Sequence, residues 1–97
     1  MNMHNPPHPG EFIQEVYLNE LNVSPRSIAI KLNVAPSTFH RVLKGTSNIS
    51  AEMAIRLSTV LGRTPQSWLA MQDNFDLYNA YNKIDLSKVQ SIQNINA

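Results

Sequence analysis

Apolar side chains recur every three or four positions in five stretches of this sequence, which is the spacing of one face of an α-helix. Each set is expected to form the apolar face of one helix. The five sets are Ile13, Val16, Tyr17 and Leu21; Ile28, Ala29 and Leu32; Phe39, Val42 and Leu43; Met53, Leu57, Val60 and Leu61; and Trp68, Met71, Phe75 and Tyr78. The pattern predicts an all-α domain of five helices.

Capping residues and prolines mark where these helices begin. A capping Ser or Thr followed by proline at the first helical position occurs at Ser24-Pro25 and at Thr64-Pro65. Ala35-Pro36 provides a third proline start, and Ser50 is expected to cap the fourth helix. These signals separate the second and third helices by only a few residues.

The second and third helices are spaced as in a helix-turn-helix. Ala29 is small enough for the two helices to cross closely. Asn33, four positions later, tolerates the positive φ that the turn requires. The apolar anchors fall at Ile28, Leu32, Val34, Phe39 and Val42. The spacing therefore predicts a helix-turn-helix on segment 24–45, with its second, recognition helix at about residues 36–44.

The two ends of the chain lack this regular pattern. Residues 1–8 are polar and rich in proline, which predicts a flexible tail ahead of a domain at residues 9–82. Residues 83–97 alternate apolar and polar positions and then place apolar residues three apart. This spacing fits either an edge strand or a frayed helix. The C-terminal tail is also a candidate for contact within a dimer.

Charge is unevenly distributed, although the formal net charge is only +1. Segment 21–51 contains no Asp or Glu but four of the eight Lys and Arg residues, so all seven acids lie outside it. A basic segment between acidic flanks is the footprint expected where one face meets phosphates. Ordinary surface charge on a solvated helical hairpin is the alternative interpretation.

The outward face of the third helix is the candidate DNA-reading surface. In the usual docking, the N-terminal end of this helix enters the major groove. Arg41 is suited to bidentate contact with guanine, and Ser37 and Thr38 to base edges or phosphate. Lys44 is placed for backbone phosphate, as is Arg26 with the free N–H groups that begin the second helix. The predicted DNA-binding residues are Arg26, Pro36, Ser37, Thr38, His40, Arg41 and Lys44.

Composition and motifs argue against several other classes. Because the chain has no cysteine, a disulfide framework and a thiolate zinc site are excluded. His4 and His8 lie in a proline-containing stretch, and we expect no metal and no other cofactor. No partnered nucleophile or pair of acids indicates an enzyme. No apolar run approaches the roughly 18 residues that cross a membrane, and no signal pattern is present, so we expect a cytoplasmic protein without membrane contact.

A series of short motifs runs through most of the chain, from Pro9 to Asp85. The motifs are Pro9-Gly10-Glu11, Ala35-Pro36-Ser37-Thr38, Arg41-Val42-Leu43 with Gly45, Met53-Ala54-Ile55-Arg56-Leu57, Thr64-Pro65, Trp68-Leu69-Ala70-Met71-Gln72, Phe75-Asp76-Leu77 and Asn82-Lys83-Ile84-Asp85. This series resembles the Xre/Cro family of helix-turn-helix repressors, and especially its HigA antitoxin branch. The Trp-Leu-x-x-Gln block after Thr64-Pro65 is the most distinctive part.

The resemblance implies a five-helix, lambda-repressor-like fold and a dimeric antitoxin. Such a protein neutralises a HigB-type toxin, a ribosome-dependent mRNA endonuclease, and represses its own operon by binding a palindromic operator. The base-reading residues implied by position are Pro36, Ser37, Thr38 and Arg41. Phe39 and His40 depart from the smaller residues often found there, which bears on the operator sequence.

A homodimer is expected because one recognition helix contacts too few base pairs for useful specificity. A twofold dimer reads two half-sites about 34 Å apart, or a multiple of that distance. The candidate contact residues on the fifth helix are Phe75, Leu77, Tyr78 and Tyr81. Two alternatives stay open: a stand-alone regulator of the same fold without a toxin partner, and a protein-interaction module that does not bind DNA.

Overall fold

The computed structural model describes residues 5–94 of the chain. These residues fold into five α-helices joined by short loops, and no strand occurs among them. The helices are α1 (Pro9–Ile13), α2 (Pro25–Leu32), α3 (Pro36–Leu43), α4 (Ala51–Leu61) and α5 (Pro65–Lys83). The predicted all-α fold of five helices is confirmed. Within this part of the chain, no helix is both long and apolar enough to cross a membrane.

The first helix departs from the register that its apolar spacing predicted. After α1 the chain continues into a π-helical segment, Gln14–Asn19, whose wider turn adds about one residue to the hydrogen-bonded spacing. Ile13 and Leu18, five positions apart, are consequently both buried. Val16 and Leu21, which α-helical spacing groups with Ile13, are 43% and 60% exposed. Their place in the apolar face was therefore predicted wrongly.

Hydroxyl side chains cap the starts of three helices, as the sequence predicts. Ser24, Ser50 and Thr64 each accept a hydrogen bond from the amide three residues later, at 3.0 to 3.1 Å. A cap of this kind contributes about 1 kcal/mol to helix stability. Helix α3 begins at Pro36 without a side-chain cap, because Ala35 offers no acceptor.

Trp68 of α5 is the largest fully buried side chain of the core. Its indole Nε1 donates to Gly62 O at 2.9 Å, so the one polar atom of the ring is satisfied. The rings of Phe12 and Tyr17 pack around it at centroid distances of 6.0 and 6.2 Å. Trp68 therefore joins the first helix to the last, while α4 supplies the buried Leu57.

His8 belongs to the folded domain, although the sequence placed it in a flexible tail. The residue is 5% exposed, and its Nδ1 accepts from Gly10 N at 2.9 Å, which caps α1. Its ring packs edge-on against Phe75 of α5 at 5.0 Å. The ordered domain thus starts at least one residue before the predicted boundary. His4 and the rest of residues 1–4 lie outside the described residues.

The free energy of unfolding is expected to decrease as the pH falls below about 6.5, the pKa of an unperturbed histidine. Burial lowers the pKa of His8 in the folded state, against weaker opposing effects of Asp76 and Glu11. Below that pH His8 is protonated more fully in the unfolded chain than in the folded domain, and this difference favours unfolding. Urea unfolding at about pH 7.5 and about pH 5.5 measures the loss, which is at most about 1.4 kcal/mol per pH unit for one group. In the His8→Gln variant this position does not titrate, so the free energy of unfolding should decrease less over the same pH range. An equal decrease in both proteins would contradict this role of His8.

The C-terminal tail is irregular in the structure. Residues 84–91 form neither a strand nor a continuous helix, and a short 3-10 turn follows at Ile92–Asn94. The helical alternative thus holds only for that turn, and residues 95–97 lie outside the described part. The radius of gyration is 17.1 Å, whereas a compact domain of this length has about 12 to 13 Å. Residues 81–93 are all exposed, so the end of α5 and the tail account for this extension and project from the body.

Candidate nucleic-acid interface

The turn between α2 and α3 has the geometry that a helix-turn-helix requires. Asn33 adopts the left-handed conformation with φ 57° and ψ 47°, and its N–H donates to Ile30 O at 3.0 Å. Val34 N donates to Ala29 O at 3.1 Å and so closes the end of α2. Ala29 is fully buried. The left-handed turn at Asn33 and the inward position of Ala29 are confirmed.

Arg56 of α4, which the sequence reasoning did not single out, holds this turn in place. Its guanidinium Nη1 donates to Leu32 O at 2.8 Å and to Asn33 O at 3.4 Å, while Nη2 pairs with Glu52 at 2.9 Å. A cation at this end of α2 also complements the helix dipole. The sequence shows the Glu52 and Arg56 spacing of four residues, but not the distant carbonyl groups that Arg56 binds.

The outer face of α3 carries most of the predicted DNA-binding side chains. Phe39 and Val42 are buried and Leu43 is half-buried, as the apolar spacing predicts. Thr38 is also half-buried, which makes it the least accessible member of the predicted set. The exposed members on α3 and immediately after it are Pro36, Ser37, His40, Arg41 and Lys44.

The first turns of α2 and α3 converge in a shallow groove on this face. Ser24 and Arg26 line it from the α2 side, and Ser37 and His40 line it from the α3 side. The phosphate site predicted at the start of α2 and the reading surface predicted on α3 are therefore one continuous surface.

Capping reduces the number of N–H groups that the start of α2 offers to a phosphate. Ser27 N donates to Ser24 Oγ at 3.1 Å, and Ile28 N donates to Ser24 O at 3.3 Å. Pro25 has no N–H. The backbone donor left in this first turn is the amide of Arg26, next to its own exposed guanidinium.

The positive charges of this surface are not neutralised within the domain. Among residues 5–94, no carboxylate forms an ion pair with Arg26, Arg41 or Lys44. Segment 21–51 contributes no acid of its own. A cationic surface of this kind attracts the DNA backbone and releases its counterions on binding.

Gln72, in the distinctive block of α5, supports the loop that follows α3. It is 3% exposed, and its Oε1 accepts from Ile49 N at 2.9 Å. The sequence marked the block but not this contact, because 23 residues separate the two partners. The spacing of four residues between Trp68 and Gln72 places them on the same face of α5, and this was the one sequence feature that indicated a buried position for Gln72.

The predicted dimer residues fall into two groups. Leu77 and Tyr81 are 49% and 50% exposed, whereas Phe75 and Tyr78 are half-buried. The Phe75 ring is in contact with His8 and so faces the body of the domain. An apolar groove at the end of α5 is lined by Leu77, Ala80, Tyr81, Ile84 and Leu86. Leu77 and Tyr81 therefore share this groove with residues of the tail, whereas Phe75 is not part of it.

A short helix with an exposed, acid-free outer face, held across a second helix by a left-handed turn, defines a helix-turn-helix DNA-binding domain. Comparisons with known proteins agree with this class. The chain is 45% identical over 92 residues to the uncharacterized HTH-type transcriptional regulator YddM of Escherichia coli strain K12, covering 95% of this chain and 97% of that protein. No family model matches the chain.

Two solved structures extend the comparison. The antitoxin GraA is 39% identical with a TM-score of 0.78, over 82% of this chain and 86% of that one, and GraA has also been solved in complex with its operator. The Pseudomonas aeruginosa antitoxin HigA, solved with the higBA promoter, is 32% identical with a TM-score of 0.74, over 82% of this chain and 96% of that one. The chain belongs to the helix-turn-helix family of transcriptional regulators that includes the HigA-type antitoxins. It is a DNA-binding regulator and not an enzyme.

Proposed function

We propose that this chain is the antitoxin of a type II toxin–antitoxin pair, and that it neutralises a HigB-type mRNA endonuclease and represses its own operon. The observation that carries the DNA-binding part is the exposed, unneutralised outer face of α3, continuous with the start of α2. Similarity to the antitoxins GraA and HigA supports the toxin-binding part. The site of action would be the cytoplasm, where operator and toxin would both be found.

In the proposed complex, the N-terminal half of α3 lies in the major groove. Arg41 donates two hydrogen bonds to guanine, and Pro36, Ser37 and Thr38 lie against base edges. The proposed phosphate contacts are made by Lys44, by Arg26 with its backbone amide, and by His40. In this arrangement base reading is confined to α3, and phosphate contacts fix the docking angle.

Arg41→Ala is expected to weaken binding to the chain's own promoter by about 1 to 3 kcal/mol and to relax specificity, because a bidentate base contact is lost. Lys44→Ala should weaken binding to promoter and scrambled duplexes about equally, and should lower the salt slope by about 1. Fluorescence anisotropy with both duplexes at several salt concentrations measures these changes. Lys88→Ala, an exposed charge removed from the tail, is the matched control. If Arg41→Ala and Lys44→Ala both behave like Lys88→Ala, the domain is a protein-interaction module.

We also propose that the chain binds a palindromic operator as a homodimer. Leu77 and Tyr81 of α5, with Ile84 and Leu86 of the tail, form an apolar groove on the projecting end of the molecule. A second copy would cover these side chains and set the two α3 helices for half-sites about 34 Å, or a multiple of that, apart. A monomeric mass at micromolar concentration, with and without DNA, would contradict the dimer.

The toxin partnership is tested by expressing the small open reading frame next to this gene, alone and together with this chain. The proposal expects the neighbour to arrest growth alone and the pair to grow normally. A harmless neighbour, or one that remains toxic beside this chain, would contradict the antitoxin function. If promoter binding persists in that case, the chain is a stand-alone regulator, as the similarity to YddM also allows.

A further inference from the structure

Gln72 of α5 bonds the loop after α3 through two of its hydrogen bonds and Asp76 of the same helix through a third. Its Oε1 accepts from Ile49 N at 2.9 Å. Its Nε2 donates to Asn48 Oδ1 at 3.2 Å and to Asp76 Oδ1 at 3.1 Å. A buried amide whose donors and acceptor are all engaged holds its neighbours in one arrangement.

These bonds fix which end of the Asn48 side chain faces outward. The backbone N–H of Ile49 is able only to donate, so the atom of Gln72 that meets it must be the oxygen. The amide nitrogen of Gln72 is then the atom that meets Asn48, which must present its own oxygen. The Nδ2 of Asn48, with two N–H donors, is therefore turned away from Gln72, and the residue is exposed.

The loop that carries Asn48 starts from the end of the proposed reading helix. Thr46 donates to Arg41 O with both its backbone N, at 3.1 Å, and its Oγ1, at 3.2 Å. Gln72 holds the other end of the loop at Ile49. Asn48 thus lies four residues after Lys44, in a loop anchored at both ends. Segment 21–51 has no acid of its own, and Asp76 of α5 shares the Gln72 nitrogen that bonds Asn48.

We propose that Asn48 donates a hydrogen bond from Nδ2 to a DNA backbone phosphate, and that Gln72 is the positioning residue for this contact. The inference rests on the proposed docking of α3. Amide side chains commonly bond phosphate oxygens in protein–DNA complexes. This contact adds affinity without base preference, and it gives the Trp-Leu-x-x-Gln block a function in DNA binding: Trp68 packs α5 into the core and Gln72 orients Asn48.

Asn48→Ala is expected to weaken binding to promoter and scrambled duplexes alike, by about two- to tenfold, the range for one hydrogen bond. The salt slope should stay unchanged, because a neutral donor displaces no counterion, in contrast to Lys44→Ala. Asn48→Asp retains the oxygen that accepts from Gln72 but replaces the Nδ2 donor with a negatively charged oxygen, so this variant should lose more DNA affinity than Asn48→Ala. Asn74→Ala, an exposed asparagine on α5, is the control.

A double-mutant cycle measured on DNA affinity separates positioning from simple support of the fold. Gln72→Met should weaken binding in the natural background and have no further effect in the Asn48→Ala background. Equal losses in both backgrounds would overturn the positioning role. Should Gln72→Met fail to fold, the Asn48 variants still decide the contact. If Asn48→Ala matches Asn74→Ala while Arg41→Ala still weakens binding, this inference fails and the proposed function stands; if Arg41→Ala is also silent, the DNA docking itself fails.

Discussion

Replacing Gly10 with alanine is expected to destabilise the domain by more than about 3 kcal/mol, at or beyond the upper end of overpacking effects. Gly10 lies in α1 against the backbone of α3. A Cβ at this position would collide with Val42 O and would lie 2.6 Å from Leu43 O and 2.8 Å from Leu43 C. Because these are backbone atoms, no side chain is able to move aside, and α1 must shift away from α3.

Gly62→Ala is the matched control for this prediction. Gly62 has a φ of 92°, so alanine there is strained, but no atom lies within 4 Å of the added Cβ. Its ψ is −165°, a backbone region essentially restricted to glycine, so we expect a cost of about 1 to 3 kcal/mol from the conformation alone. Comparing the chemical denaturation midpoints of the two variants separates the steric clash at residue 10 from the backbone strain at residue 62. If Gly10→Ala costs no more than Gly62→Ala, the close approach of α1 and α3 is not as described.

Trp68→Ala is expected to cost about 3 to 5 kcal/mol, the range for removing a large buried aromatic side chain. The change empties the site between Phe12, Tyr17 and α4, and it removes the bond to Gly62 O. Since the total stability of a domain is about 5 to 15 kcal/mol, this loss would remove a large share of it. Trp68 is the chain's only tryptophan, so circular dichroism and not tryptophan fluorescence must follow unfolding.

Trp68→Phe distinguishes the two contributions at this site. Phenylalanine keeps much of the aromatic packing but leaves the Gly62 carbonyl without its indole donor, which should cost about 1 to 3 kcal/mol. A loss of less than about 1 kcal/mol in Trp68→Ala would be incompatible with a fully buried position.

The helix boundaries of this domain could be predicted because their causes are local. A capping hydroxyl and a proline at the first helical position act within one turn, so Ser24, Ser50 and Thr64 were identified correctly. The left-handed turn at Asn33 is similarly a property of one residue type in one place. The π-helical segment after Ile13 has no such local signal, and it reversed the expected burial of Val16 and Leu21.

Long-range contacts account for the features that the sequence did not predict. His8 is buried because Phe75 and Gly45, in the loop after α3, lie against its ring, and no property of a proline-rich tail indicates that. Arg56 and Gln72 each bond backbone atoms 23 or 24 residues away. For the DNA-binding surface, apolar spacing determined which side chains of α3 face outward. It did not show that the start of α2 joins these side chains in one groove.

The most direct test of DNA binding by segment 24–45 is an NMR titration of the isotope-labelled chain with its own promoter duplex. The chemical shifts of the backbone amides are measured at each step. We predict the largest changes at Arg26 and from Ser37 to Lys44, with smaller ones at Asn48. Trp68 and Gln72 should change little, since both are buried. Shifts confined to the end of α5 and residues 84–94, with α3 unaffected, would contradict the assignment of DNA binding to this segment.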